Sequence, residues 1–181
     1  MELTVHTPET APAGSKPILE GISADLGLVP NLAGAAATSP TLLSAFDGLR
    51  RAVGSGRLDP VLRETAGLAV GVAVDNRYGV AFHSTVLGQL GVAEDEINCM
   101  RDGRAPSDPR QAAVYALAQA VVVGRGKVED EVLEAAERAG LDTEEVLEVV
   151  TECTFAGLVG TLDNLAGRVE LDEFLAPRAW S

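Results

Sequence analysis

One histidine in this chain stands where proton chemistry could be done. His83 and His6 are the only two histidines, and His6 falls in a proline-rich opening stretch. An imidazole titrates near neutrality, so His83 can both give and take protons. Asn76, Gly79, Val80, His83 and Val86 or Leu87 share one face of a helix predicted over 76–90. Gly79 sits one turn before His83, and its missing side chain opens space beside the imidazole for a small ligand. A glycine inside a helix costs about 1 kcal/mol against alanine, so it calls for a reason. The competing reading is a histidine hydrogen-bonded in a packed interface, with the glycine allowing close helix approach.

The neighbours of His83 carry similar pairs of readings. Asn76 offers an amide for a substrate carbonyl or carboxylate, but it also precedes the helix, where capping is the preferred role. Tyr78 could serve as a general acid; five positions from His83, it does not share the ring's face and reads as half-buried packing. Glu64 lies near the start of a helix predicted over 60–74, where a carboxylate meets the positive end of the helix dipole. Arg57, Arg63 and Arg77 could draw in an anionic substrate, with a solvated surface role as the default. Phe82 reads as core. The glycines of GVAVDNRYG fit no phosphate-loop spacing, and Gly124-Arg125-Gly126 reads as a turn.

The elements that must position these residues are marked by caps. Ser39-Pro40, Asp59-Pro60 and Asp108-Pro109 each place a capping oxygen before a proline at the first helical position. The oxygen accepts from an unpaired backbone N–H, and the proline gives up a donor that would have had no partner. Asp142 and Glu145 have capping-box spacing, and Gly140 suits a left-handed helix exit. Helices are expected at roughly 16–26, 40–54, 60–74, 76–90, 94–102, 109–123, 128–139 and 143–168. Ala113, Leu117, Ala120 and Val121 show the helical spacing, as do Val146, Val149, Val150 and Cys153. The valines of LAVGVAV, 68–74, would suit a buried strand, but the proline-capped start at 60 favours a long buried helix. No segment alternates as an exposed strand does. The expectation is one all-α domain over 17–181, preceded by an extended arm over 1–16.

Composition narrows the function classes. Aromatics make up 4% of the 181 residues, so the core must come from Ala, Val and Leu. Small side chains bury less area each, and a subunit interface would add burial, so a homo-oligomer is expected. The formal net charge of −13 repels phosphate backbones and anionic membranes, so no nucleic-acid or membrane partner is expected. The two cysteines, Cys99 and Cys153, make no CxxC and no metal-ligand spacing. No metal site and no cofactor motif is found. The opening MELTVHTPETAPAGSKP lacks the basic start and apolar stretch of a signal peptide, and a cytoplasmic location is expected.

Three segments together carry a resemblance. They are GLVPNLAGAAATSPTLLSAF (27–46), LRETAGLAVGVAVDNRYGVAFHSTVLGQLGV (62–92) and INCMRDGRAPSDPRQAAVYALAQAVV (97–122). With the ending TLDNLAGRVELDEFLAP (161–177), they resemble the carboxymuconolactone decarboxylase/AhpD-like, peroxidase-related family. The likeness implies an all-α, AhpD-like multi-helix bundle that assembles as a trimer or hexamer. It also implies that the family glutamate falls on Glu64 and the family histidine on His83, and that the two meet.

The family's two redox cysteines would fall on Asn76 and Gly79, and an Asn-His pair common in the peroxidase-related branch falls on Asp163-Asn164. Peroxide reduction in this family needs a thiolate nucleophile and a second thiol to resolve the sulfenic acid. Asparagine and glycine supply neither, so thiol peroxidase activity is not expected. The decarboxylase branch keeps the histidine without the cysteine pair. What remains is cofactor-free acid–base chemistry on a small oxygenated acid or lactone: a lyase, decarboxylase or isomerase with His83 and Glu64 catalytic and Asn76, Tyr78 and Gly79 at the substrate. The alternative is a ligand-binding or scaffold oligomer that has lost the chemistry; residual alkylhydroperoxidase-like activity is the weakest reading.

Overall fold

Side-chain caps set the helix starts in the computed structural model, which describes residues 1–180. Ser39 accepts from Leu42 N to begin α3, Pro40–Ser55. Asp59 accepts from Val61 N at the head of α4, Pro60–Ala73. Asp108 accepts from Arg110 N and Gln111 N at α7, Pro109–Val123. Asp142 and Glu145 form the reciprocal capping box that opens α9, Thr143–Leu165. Gly140 takes the left-handed conformation, φ 83°, in the turn that leads to that box.

The remaining helices are α1 (Lys16–Leu26), α2 (Asn31–Ala36), α5 (Arg77–Gln89), α6 (Glu94–Arg101) and α8 (Asp130–Arg138), and the chain closes with a 3-10 helix, Glu173–Arg178. Two of these elements stand apart from the sequence reading. The six-residue α2 has Pro30 at its cap position and no side-chain cap, so it announces itself by no local signal. The 3-10 helix carries Pro177 inside it, a residue that argues against helix from sequence. The LAVGVAV run is helical, within α4. No strand occurs among the described residues, and the architecture is the expected all-α multi-helix bundle.

Helix α4 is the central post. It packs against α5, α7 and α9, and its residues Glu64 to Gly71 are all buried. One apolar cluster surrounds it, including Leu62, Leu68, Val70, Leu117, Val149 and Cys153. A second cluster joins α1, α2 and α3 to the far end of α9 through Leu19, Leu32, Leu43, Phe46 and Val159. Residues 1–15 are tied to α2 and its exit: His6 N donates to Gly34 O, and the buried Ser15 hydroxyl donates to Ala37 O at 2.7 Å. None of the helices among the described residues is long and apolar enough to cross a membrane.

Candidate active site

Glu64 on α4 and His83 on α5 lie nineteen positions apart in the chain and meet at the seam between the two helices. Glu64 Oε2 is 2.8 Å from His83 Nδ1, and the residues are only 5% and 7% exposed. Arg63 holds the other carboxylate oxygen, its Nε donating to Oε1 at 3.1 Å. A Cβ at Gly67 would fall 2.2 Å from His83 Cε1, so the ring lies against the bare backbone of α4. Phe82 meets the ring edge-on, with centroids 5.3 Å apart. The imidazole is thus fixed on one side by glycine, at one nitrogen by a carboxylate and at one edge by an aromatic ring.

The electrostatics favour a charged pair. Burial alone would raise the Glu64 carboxyl, but the hydrogen bond and charge of His83, with Arg63, hold it below the usual carboxylate range. Burial alone would lower the His83 imidazole; the bond to Glu64 and the charges of Glu64 and Glu152 outweigh it and raise the ring. A carboxylate on Nδ1 also fixes the tautomer, directing that proton to Glu64 and leaving Nε2 as the exchangeable nitrogen.

Nε2 makes no hydrogen bond among the described residues. Its nearest acid is Glu152 of α9, whose Oε1 lies 3.8 Å away. Glu152 is 2% exposed, and Oε1 has no hydrogen-bond partner. Burial, with the charge of Glu64, pushes this carboxyl up to about 7 against the pull of His83 and Arg63.

His83 forms part of the wall of a cavity of about 130 Å³. Apolar side chains dominate the lining, among them Leu26, Leu32, Phe46, Phe82, Phe155 and Val159. The polar contributions come from His83, Tyr78 and Arg50. Arg50 is anchored by Asp47 at 2.9 Å through Nε and by Asp25 at 2.7 Å through Nη2.

The structure distributes the other sequence candidates as follows. Asn76 is buried at the head of α5, where its Oδ1 accepts from Gly79 N at 3.1 Å. Its Nδ2 has no partner, and the residue does not reach the cavity wall. Gly79 does line the cavity, but a Cβ there would first strike Asn76 Nδ2, at 2.6 Å, so the cap requires it. Tyr78 lines the cavity while its hydroxyl donates to Asp172, and burial followed by that bond raises the phenol far above its ordinary value. Glu64 sits inward rather than on the exposed first turn. Phe82, read as core, is half-buried in the cavity wall. Arg57 pairs with Asp142 and Glu144 on the surface, Arg77 is exposed, and Arg63 clamps Glu64; none of the three lines the cavity. Asp163, where the family pattern has asparagine, is buried and accepts from Val169 N at 2.7 Å.

Three residues of the site escaped the sequence reading: Glu152, Gly67 and Arg50, an arginine of α3 that no local signal distinguishes. Glu152 falls on the buried stripe Val149, Cys153, Ala156, and a lone acid on an apolar face was the available signal. Gly67 is a glycine inside a helical pattern, the same signal that drew attention to Gly79. Neither cysteine lines the cavity: Cys99 donates to Ala105 O and Cys153 to Ala118 O, with the Cys153 thiol pushed up to about 12 chiefly by burial. Among the described residues, no three His, Cys, Asp or Glu side chains are arranged to hold a metal ion.

Residues 40–121 match the model of the Carboxymuconolactone decarboxylase family. That segment holds α3 to α7, and with them Glu64 and His83, while Glu152 lies beyond it. No curated protein matches the chain. Among solved structures it is similar to a cysteine-to-alanine variant of the debrominase Bmp8 in complex with 2,3,4-tribromopyrrole, with TM-score 0.79, 16% identity, and 98% of this chain and 95% of that one covered. An uncharacterized peroxidase-related protein from Ralstonia eutropha JMP134, described as an alkylhydroperoxidase AhpD core, gives TM-score 0.79 at 23% identity, covering 94% and 92%. A peroxidase-related protein from Silicibacter sp. TM1040 gives 0.76 at 18%, covering 96% and 91%. At these identities the likeness is one of fold.

Proposed function

We propose that this chain, whose residues 40–121 match the model of the carboxymuconolactone decarboxylase family, is a cofactor-independent acid–base lyase, decarboxylase or isomerase acting on a small oxygenated acid or lactone. The observation that carries this reading is the 2.8 Å contact of Glu64 with His83 Nδ1, made at the wall of an apolar cavity. Glu64 orients the imidazole and stabilises its protonated form, and the ring exchanges the proton at Nε2. The dry lining strengthens each of these interactions. No cofactor motif supplies an electron sink, so the substrate must itself delocalise the charge left by the departing proton or carboxyl.

The cavity's size and lining favour a compact ring with few polar groups. Arg50, the cation in the wall, suits a single carboxylate on that ring. The debrominase neighbour was crystallised with a small flat heterocycle, so halogenated pyrroles belong in the same substrate screen as lactones and keto acids. Thiol peroxidase chemistry is not part of this proposal, because Asn76 and Gly79 occupy the motif positions and the two thiols lie away from the cavity wall.

A second reading, a ligand-binding shell without turnover, is favoured by the loss of both motif cysteines. The two are separated by assaying wild-type protein and His83→Ala against the screened compounds. Turnover by wild type that falls at least about a hundredfold in the variant supports the enzyme. Turnover retained in full by His83→Ala dismisses the assignment, and binding without turnover by wild type favours the shell. Homo-oligomerisation is proposed alongside, supported by exposed Leu147, Val150 and Leu165 on α9.

A further inference from the structure

A carboxyl group in a dry core is costly unless it is paired, and one with an orphan oxygen is costlier still. Glu152 is such a group. Its Oε1 accepts no hydrogen bond, and it lies 3.8 Å from the one ring nitrogen of His83 that is also without a partner. Its other surroundings add no structural reason for an acid, since the stripe around it consists of Val149, Cys153 and Ala156.

The charges that face Glu152 come from two elements. Helix α4 contributes Glu64 and Arg63, and α5 contributes His83; α2, α3 and α7 also pack on α9, but among the described residues none of their ionisable side chains acts on it. On α9 itself, the neighbouring Cys153 thiol points to Ala118 O. Glu64 and Arg63 are opposite charges in contact and largely cancel. The seam therefore has two arrangements of equal net charge: neutral His83 with protonated Glu152, or imidazolium with carboxylate. Passing the proton between them buries no new net charge, whereas sending it to solvent does.

Resting on the acid–base reading above, we propose that Glu152 is the proton store of His83, a positioning residue that reloads Nε2 from behind the cavity. In the step, the O–H bond at Oε1 breaks as the N–H bond at Nε2 forms, leaving a carboxylate and an imidazolium; the reverse step recovers the starting pair. Closing the gap takes a movement of about 1 Å to reach hydrogen-bond distance. The site can then take a proton from one substrate atom and return one to another without waiting for water to enter an apolar cavity. Glu152 lies on α9, beyond the segment that matches the family model.

The test needs no substrate. His83 is followed by NMR across pH in wild type and in Glu152→Gln, and infrared spectra record protonated carboxyl groups over the same range. In wild type, His83 titrates in two coupled steps, and a protonated-carboxyl band persists to near neutral pH. In Glu152→Gln, that band disappears, and His83 titrates in one step with its midpoint lowered by about one unit. A single His83 step unmoved by the substitution overturns the proposal. If Glu152→Gln does not fold, the wild-type infrared band decides alone: its absence above pH ~5.5, where an ordinary glutamate is ionised, overturns it too. Failure of every candidate substrate would count against the proposed reaction and leave both spectroscopic outcomes standing.

Discussion

Gly67 and His83 share one space: a Cβ on Gly67 would lie within 2.2–2.5 Å of three atoms of the imidazole. The ring can reach Glu64 because α4 presents bare backbone beneath it. Gly67→Ala therefore forces the ring outward. The expected result is a loss of about 1–3 kcal/mol in stability from overpacking. The His83 midpoint should also fall back toward an ordinary value as the bond to Glu64 is lost. Thermal unfolding and NMR titration check this, and an unchanged titration would show that the ring is not held there.

Stability should depend on pH in a definite direction. Glu152, raised to about 7, binds its proton in the folded state over a range where an unfolded glutamate has lost it. Between about pH 4.3 and 7 this group lowers stability as pH rises, by on the order of 3 kcal/mol at most. His83 is raised when folded, so its contribution is full below its unfolded value and is lost as pH rises through the folded one. Glu64 is lowered, so its contribution is present above its unfolded value and is lost as pH falls through the folded one. Maximum stability is expected near pH ~5, with a decline on the alkaline side that is shallower in Glu152→Gln. Urea titrations at a series of pH values measure it, and stability rising from pH 5 to 8 would contradict the assignment.

Tyr78 ties three elements through one carboxylate. Its hydroxyl donates to Asp172, which also accepts from Asn31 N at 3.1 Å. Tyr78→Phe should cost about 1–2 kcal/mol and loosen the closing 3-10 helix toward proteolysis. The His83 titration should stay unmoved, and a shifted midpoint would mean that Tyr78 takes part in the proton chemistry.

Arg50 offers a test of ligand charge. Arg50→Met should weaken binding of a carboxylate-bearing cavity ligand about tenfold, while a neutral lactone of similar size keeps its affinity. Calorimetry with matched pairs reads the difference. Equal losses for both would point to a change in cavity shape.

The thiols should be bystanders. Cys99→Ser and Cys153→Ala, made together, are expected to leave any turnover unchanged. Wild type with a dithiol reductant should consume hydroperoxides no faster than the reductant alone. Robust dithiol-dependent consumption would reinstate the peroxidase reading.

Local chemistry was legible from the chain alone. Ser39, Asp59, Asp108 and Asp142 each satisfy backbone donors two or three residues ahead. An interaction spanning a few residues depends on nothing else, so the starts of four helices could be read directly. The short α2 has no such cap and was not readable, because its apolar residues are held by packing against α3 and α9. His83 was identifiable as a proton carrier by residue type, and Glu64 by resemblance.

What only the tertiary structure decided is which groups face the ring. Glu64 sits on α4 and Glu152 on α9, and their approach to His83 depends on how three helices rotate and cross, which no spacing along the chain encodes. The same packing turned Asn76 into a cap away from the cavity wall, set Arg63 on Glu64 and brought Arg50 to the wall. Sequence determined the capped helices and the candidate imidazole of His83; the crossing of α4, α5 and α9 decided that this imidazole stands between two buried acids, because contacts between helices are fixed by the whole packed core.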